Sequence, residues 1–240
     1  MGFAIPDDER LFIDRSMEDR IVLTGIRVEL GPDKAIAGRK LIVRATEIEI
    51  HGHINLPGGV IDLFAQRITA AAGSIIDVSG AIGAPDFTGR APALSGAGPG
   101  DAGQAGENGG DGGHAGQIDI VCESIDGELR LVAMGGNGGA AQSGGNGIAG
   151  GKGGDMHGCS PPTAGGPGGD AGTAGRPGKG GNGGTVSVSV YMPLADPSQV
   201  QISVSAGTPG APGRHGAPGA KGFGGNGGTY GEWYAEPCVV

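Results

Sequence analysis

The acidic and imidazole side chains are the residues of this sequence with chemistry to offer, and many stand beside glycine. Asp101, Asp111, Asp155 and Asp170 each adjoin a glycine. Carboxylates on glycine turns are the hard oxygen donors that calcium takes. The stretch GENGGDGGHAGQIDI, Gly106–Ile120, has some of the character of calcium-binding nonapeptide repeats. Its spacing does not recur, so solvated turn aspartates are the plainer reading and no metal is expected beyond calcium as a candidate at these four acids. His51 and His53 flank Gly52 and could share one face of a strand, yet two imidazoles without a third ligand are half a zinc set. MHGCSPP, Met156–Pro162, places His157 two residues from Cys159, which reads more simply as an exposed loop tip than as a metal site. Glycine-rich text also yields GxGxxG matches, but no helical pattern follows any of them, so no nucleotide site or other cofactor is expected.

Two further carboxylates, Asp62 and Asp119, occupy equivalent outward positions in the repeat described below. Paired external carboxylates are the equipment of polysaccharide-cleaving enzymes. Ser187 takes the equivalent place in the next copy and breaks the column. The expectation is therefore a protein without enzymatic activity.

Whatever these side chains do, an unusual backbone positions them. The 240 residues include 56 glycines and 16 prolines, while aromatics are only 4 %. Such a composition approaches the range of low-complexity chains. The aliphatic residues are not scarce, however; they are gathered in blocks with glycine between them. The net charge is −9 and no basic run exceeds GRK at Gly38–Lys40, which excludes a surface that tracks phosphates. No apolar run approaches the length of a membrane helix, about 18 residues. The acidic start MGFAIPDDERLFIDR shows no secretory signal pattern.

The aliphatic blocks are copies of one another. KLIVRATEIEIHGHINLPG, GGVIDLFAQRITAAAGSIIDVSG, AGQIDIVCESIDGELRLVAMGG and GGTVSVSVYMPLADPSQVQISVSAG share one order of features. An alternating strand (Leu41, Val43; Ile61, Leu63; Ile118, Ile120; Val186, Val188) is followed by one aliphatic (Ile48, Ile68, Ile125, Leu194) and a second strand. GIRVELG, with Ile26, Val28 and Leu30, is a partial fifth copy. Leu41 and Ile61 are 20 residues apart, but Ile61 to Ile118 is 57 and Ile118 to Val186 is 68. The excess in the longer intervals is glycine-rich. Alternation places side chains on opposite faces, and one such unit cannot bury its apolar face without stacked neighbours. Small residues at one position, Ala45, Ala65, Cys122 and Val190, suit a narrow interior. The predicted fold is all-β with almost no α-helix: a parallel β-helix of about 20 residues per rung.

GSIIDVSG at Gly73–Gly80, with IEIHGHINLPGG before it, resembles the rungs of filamentous-haemagglutinin-type right-handed β-helices of bacterial surface proteins. That resemblance implies right-handed coiling.

Glycine itself is periodic. It falls at every third position from 207 to 228, from 166 to 184, from 100 to 112 and from 144 to 153. Three residues per turn is polyproline II geometry. The reading adopted for these tracts is a bundle of single-chain rods, packed closely enough for their backbones to hydrogen-bond. Each excursion leaves after a second strand and returns before the next, so rods should come in pairs. The layout is similar to the polyglycine II layers in the tip adhesins of T-even-like phages. GGNGG at 135–139 and 224–228 and GNGG at 181–184 are similar to units of mycobacterial glycine-rich surface proteins. Those resemblances imply recognition loops carried on a rod bundle.

The expected organisation is a leader or cap at 1–19, rungs at 20–80, 117–134 and 185–206, glycine-rich insertions at 81–116, 135–184 and 207–228, and a cap at 229–240, all in one compact unit. The expected function is adhesion or receptor binding at an extracellular, cell-surface or virion location. A host or cell-surface glycan or protein is the partner, with no nucleic acid and no membrane insertion. Candidate binding residues are Met156, His157, His215, Phe87 and Arg90. Tyr230, Trp233 and Tyr234 form a candidate docking patch. The alternatives are a filament, sheath or coat subunit joined end to end, and a polysaccharide lyase. A Cys159–Cys238 disulfide is left open, because spacing does not fix distance.

Overall fold

The structure, a computed structural model, describes residues 12–17, 20–31, 40–155, 161–194 and 196–226. Eight strands form one open sheet: β1 (Phe12–Met17), β2 (Arg20–Leu30), β3 (Lys40–Ile50), β4 (His53–Asn55), β5 (Val60–Asp77), β6 (Gln117–Met134), β7 (Thr185–Val190) and β8 (Val200–Ser205). The described residues contain no α-helix, only a 3₁₀ turn at Pro197–Gln199. All pairings are parallel except β1 with β2. Parallel pairing needs a long connection between partners, and between β5 and β6 and between β6 and β7 the glycine-rich insertions supply it.

The strand register is the one the repeat implies. Leu41 pairs with Ile61, Ile61 with Ile118, and Ile118 with Val186. The small-residue column is continuous, Ala45 to Ala65 to Cys122 to Val190. Burial along β5 shows how one strand turns. Ile61 and Leu63, then Ile68 and Ala70, then Ser74 and Ile76 are buried, and the alternation breaks at 64–67 and 71–73. Three short straights with inward aliphatics thus share one core cluster with their counterparts in β3 and β6. At the second corner β5 has three residues between Ala70 and Ser74 where β6 has one. Gly127 closes that corner at φ +91°, and a Cβ there would overlap the Ala70 carbonyl oxygen.

Two details differ from the sequence reading. The partial fifth copy is a full strand whose inward residues are Leu23, Val28 and Leu30, whereas Ile26 is 62 % exposed. Ile26 lies beside the corner at Gly25, where alternation is interrupted. Ser74 replaces the aliphatic found at Leu129 and Val200 of the same column. Its buried hydroxyl donates to the Ile50 carbonyl oxygen at 2.8 Å, which removes the cost of burying a polar group.

The chain divides into two compact units: residues 1–84, 111–138 and 179–209, and residues 85–110, 139–178 and 210–240. The first contains the strands. The second consists of glycine-rich tracts, which make their contacts with one another. Within it, glycines donate every third N–H to a neighbouring tract. Gly103, Gly106 and Gly109 donate to Asp170, Thr173 and Arg176 at 2.8–2.9 Å, in parallel. Gly144, Gly147 and Gly150 donate to Arg214, Ala217 and Ala220, also in parallel. Gly166, Gly169 and Gly172 donate to Gly151, Ile148 and Gly145, antiparallel. Gly216, Gly219 and Gly222 donate back to Gly172, Gly169 and Gly166. The segment 139–150 therefore has partners on four sides: 85–100, 101–110, 166–178 and 210–222. That neighbour pattern describes two staggered rows.

Glycine is required by the packing. A Cβ on Gly172 would overlap the Gln104 carbonyl oxygen, while one on Gly154 would meet only the Thr163 hydroxyl, at 3.4 Å. Gly172→Ala should therefore lower stability by about 1–3 kcal/mol or more, the range for overpacking. Gly154→Ala should change it by less than about 0.5 kcal/mol, as surface substitutions usually do. Urea denaturation of the two variants checks the contrast.

Candidate recognition site

The exposed turn Pro85–Arg90 brings two of the candidate binding residues together. Asp86 begins it: its Oδ1 accepts from Thr88 N at 3.0 Å and from the Thr88 hydroxyl at 2.8 Å. The same oxygen accepts from Ala140 N at 2.9 Å, which ties the turn to the neighbouring tract. Arg90 N then donates to the Phe87 carbonyl at 3.0 Å, and Gly89 at φ +67° supplies the positive φ that a type II turn needs at its third residue. The result sets the Arg90 guanidinium 5.6 Å from the Phe87 ring centroid. A cation over an aromatic face, held by a fixed turn, can bind a carboxylate with the guanidinium and stack a sugar or peptide group on the exposed side. Leu94, 70 % exposed, lies at the end of this segment.

The other candidates are placed differently. His215 stands within a glycine tract, with Nδ1 accepting from Ala174 N at 3.2 Å, so its ring joins two tracts instead of marking a loop tip. Met156, His157, Cys159, Tyr230, Trp233, Tyr234 and Cys238 lie outside the described residues, as does any Cys159–Cys238 bridge.

The four candidate calcium acids are not brought together. Asp101 accepts from Gly98 N within its own turn, at 2.7 Å. Asp111 accepts from Lys179 N, and Asp155 from Asn226 N, each at 2.7 Å. Lys152 Nζ lies 2.8 Å from the Asp155 carboxylate. For Asp170 the relevant atom is the backbone oxygen, which accepts from Gly103 N. His51 approaches Glu49 and His53 approaches Asp77, each at 3.6 Å. Among the described residues no three His, Cys, Asp or Glu side chains converge as a metal set.

Asp62 and Asp119 do pair in register, with Ser187 next in the column. Each has a partner: Lys40 Nζ is 2.7 Å from Asp62, and Gln117 donates to Asp119. Cys122 is buried in the core, and burial pushes its thiol up to about 11, which removes it as a nucleophile near neutrality.

Sequence reasoning missed a second set of polar residues, which act on the backbone. Asn108 Oδ1, Asp111 Oδ1 and His114 Nδ1, three residues apart, accept from the N–H groups of Arg176, Lys179 and Asn182, a constant 68 residues on. Asn137, Ser143, Asn146 and Asp155 accept from Thr208, Arg214, Ala217 and Asn226, always 71 residues on. These side chains satisfy seven further N–H groups, each one residue after the glycine phase, that the glycine ladder leaves free. The signal was present: the polar residues share one phase of the triplet, and the Asn of GGNGG at 135–139 is one of them. A groove of about 300 Å³ at the first corner, between Glu47, Arg67, Glu123 and Met192, was also not anticipated.

No known protein family, curated protein or solved structure matches the chain.

Asp86 is held below its ordinary value of 3.8, first by the Ala140 N–H and then by the Thr88 hydroxyl and N–H. Its contribution is therefore complete above 3.8 and is lost as pH falls through the lower folded value. In an NMR titration the Ala140 and Thr88 amide shifts should move together with a midpoint below 3.8. In Asp86→Ala this transition should be absent.

Proposed function

We propose that this chain is a non-enzymatic recognition module of a cell or virion surface, in which a right-handed parallel β-helix carries a bundle of polyglycine II rods. The rods present turns such as Pro85–Arg90 to a glycan or protein on another surface. The single observation that carries this reading is the hydrogen-bond ladder of the glycine tracts, in which donors recur every third residue in both directions. A segment with a fixed partner at each turn is a stiff support, and stiff supports are what precise recognition turns need. Three straights per β5 copy, inward aliphatics in register and parallel pairing support the β-helix part. The partnered state of Asp62 and Asp119 supports a binding role over polysaccharide cleavage.

Two experiments test the two parts separately. Residue-resolved amide exchange reads the scaffold: Gly103, Gly106, Gly109, Gly172 and Gly216 should be protected in a period of three. Uniform exchange at peptide rates across 166–184 and 207–225 would overturn the rod bundle. A glycan array, followed by a panel of purified outer-membrane proteins, reads the ligand. Phe87→Ala and Arg90→Ala should each weaken a hit about tenfold or more, as anchors at small interfaces do. Conversion of an acidic polysaccharide to unsaturated products by the chain would sink the non-enzymatic reading.

A further inference from the structure

Strands β7 and β8 each pair with β6 on one side and, among the described residues, with no strand on the other. Their outer edges therefore present backbone donors and acceptors without ladder partners, a template for another strand. Folded proteins usually blunt such an edge with lysine, proline, a bulge or a covering segment. Neither TVSVSV nor VQISVS contains a charged residue or a proline. The inner strands are different: β3 carries Lys40, Arg44, Glu47 and Glu49, and β6 carries Asp119, Glu123, Asp126, Glu128 and Arg130.

The apolar columns also stop short here. Leu131 is fully buried, but its register partner Ile202 is 52 % exposed, and Val204 is 46 % exposed where its partner Ala133 is buried. Between the two strands lies a groove of about 380 Å³ lined by aliphatics of both strands, among them Val188 and Ile202, and by Met192, Pro193, Leu194 and Pro197 of the segment that joins them. Tyr191 follows β7 at 79 % exposure.

The opposite edge of the sheet is treated otherwise. Over Arg20–Thr24, β2 is paired with the antiparallel strand β1. Along that stretch the outer edge of β2 is already occupied, so a second chain adding head to tail meets a partly covered edge. A β7–β8 edge that meets its own copy finds no such strand in the way among the described residues. The two edge strands themselves carry no charge, so like charges are not opposed where strand meets strand.

We propose that the β7–β8 edge is a homodimer interface, in which two copies of this chain pair tail to tail about a twofold axis. The strands of the two copies run antiparallel across the axis, and Ile202, Val204 and the groove aliphatics of one copy cover those of the other. A twofold contact closes on itself, so the product is a dimer and not a fibre. This inference rests on the sheet edges alone and stands or falls separately from the ligand proposed for the Pro85–Arg90 turn.

Sedimentation of the full chain across about 1–100 μM tests it, with a species of twice the chain mass expected at the upper end. Ile202→Lys places a charge in the apolar contact. Ser187→Lys places one on the exposed edge strand without touching the core, so it keeps the test valid if Ile202→Lys disturbs folding. Each variant should raise the dissociation constant at least about tenfold while far-UV circular dichroism stays unchanged for Ser187→Lys. A chain monomeric throughout, an open-ended polymer, or a dimer indifferent to both substitutions would overturn the proposal. So would a monomer whose β7 and β8 outer amides are protected from exchange, since its own residues would then cover the edge.

Discussion

The structure depends on one constraint: a buried backbone N–H or C=O must have a partner. In the sheet that need is met by ladder pairing. In the glycine tracts it is met between neighbouring segments that are too close for side chains. Gly172 shows the coupling. Its N–H reaches the Gly145 carbonyl, its own carbonyl accepts from Gly216, and a Cβ would overlap Gln104. The absence of side chains is therefore what creates the hydrogen bonds. Glycine has the largest backbone entropy to lose on folding, and these tracts bury little apolar area to offset it. The offset must come from saturating the backbone on several sides at once, which explains why the tracts occur as a group.

The same constraint explains which residues occupy the other two phases of the triplet. One phase faces a neighbouring tract but is too far for backbone pairing on its N–H, so Asn, Asp, Ser or His on the neighbour reaches across. In the remaining phase of 207–225, Pro209, Pro212 and Pro218 are exposed, while His215 accepts from Ala174 N of a neighbouring tract. Proline has no N–H to leave unpaired. Three phases thus carry three solutions to one problem: close approach, a side-chain acceptor, and removal of the donor. The triplet pattern is a record of which neighbouring tract each residue faces.

Much of the spine was legible because a column of aliphatics must repeat its spacing for one face to stay buried. Leu41, Ile61, Ile118 and Val186 could be aligned through insertions of very different length for that reason. Ile26 was misread because a corner resets the alternation, and nothing local distinguishes a corner from a straight. Ser74 was missed because a buried hydroxyl is acceptable only if a particular carbonyl, that of Ile50, lies opposite. The phase of glycine was visible. The constant offsets of 68 and 71 residues between polar acceptors and their donors were not, since they follow from the combined lengths of rods and strands. The site was least legible. Phe87 and Arg90 could be named as loop residues, but their meeting depends on the Asp86 turn and on Ala140, which belongs to a different excursion.

These dependencies separate what can vary from what cannot. Glycines of the 139–150 segment are hemmed in by different neighbours, Gly144 by Gly172 and Gly145 by Leu94, so that segment tolerates change poorly. The turn at Pro85–Arg90 is held by one carboxylate, one backbone turn and one bond to a neighbouring tract. Residues 87, 88 and 90 can therefore change while Asp86 and Gly89 hold the conformation. A surface that must follow a changing partner benefits from this arrangement: the support is over-determined by repeated backbone bonds, and the exposed chemistry is set by a few side chains with little role in folding. That division follows from the hydrogen bonds alone.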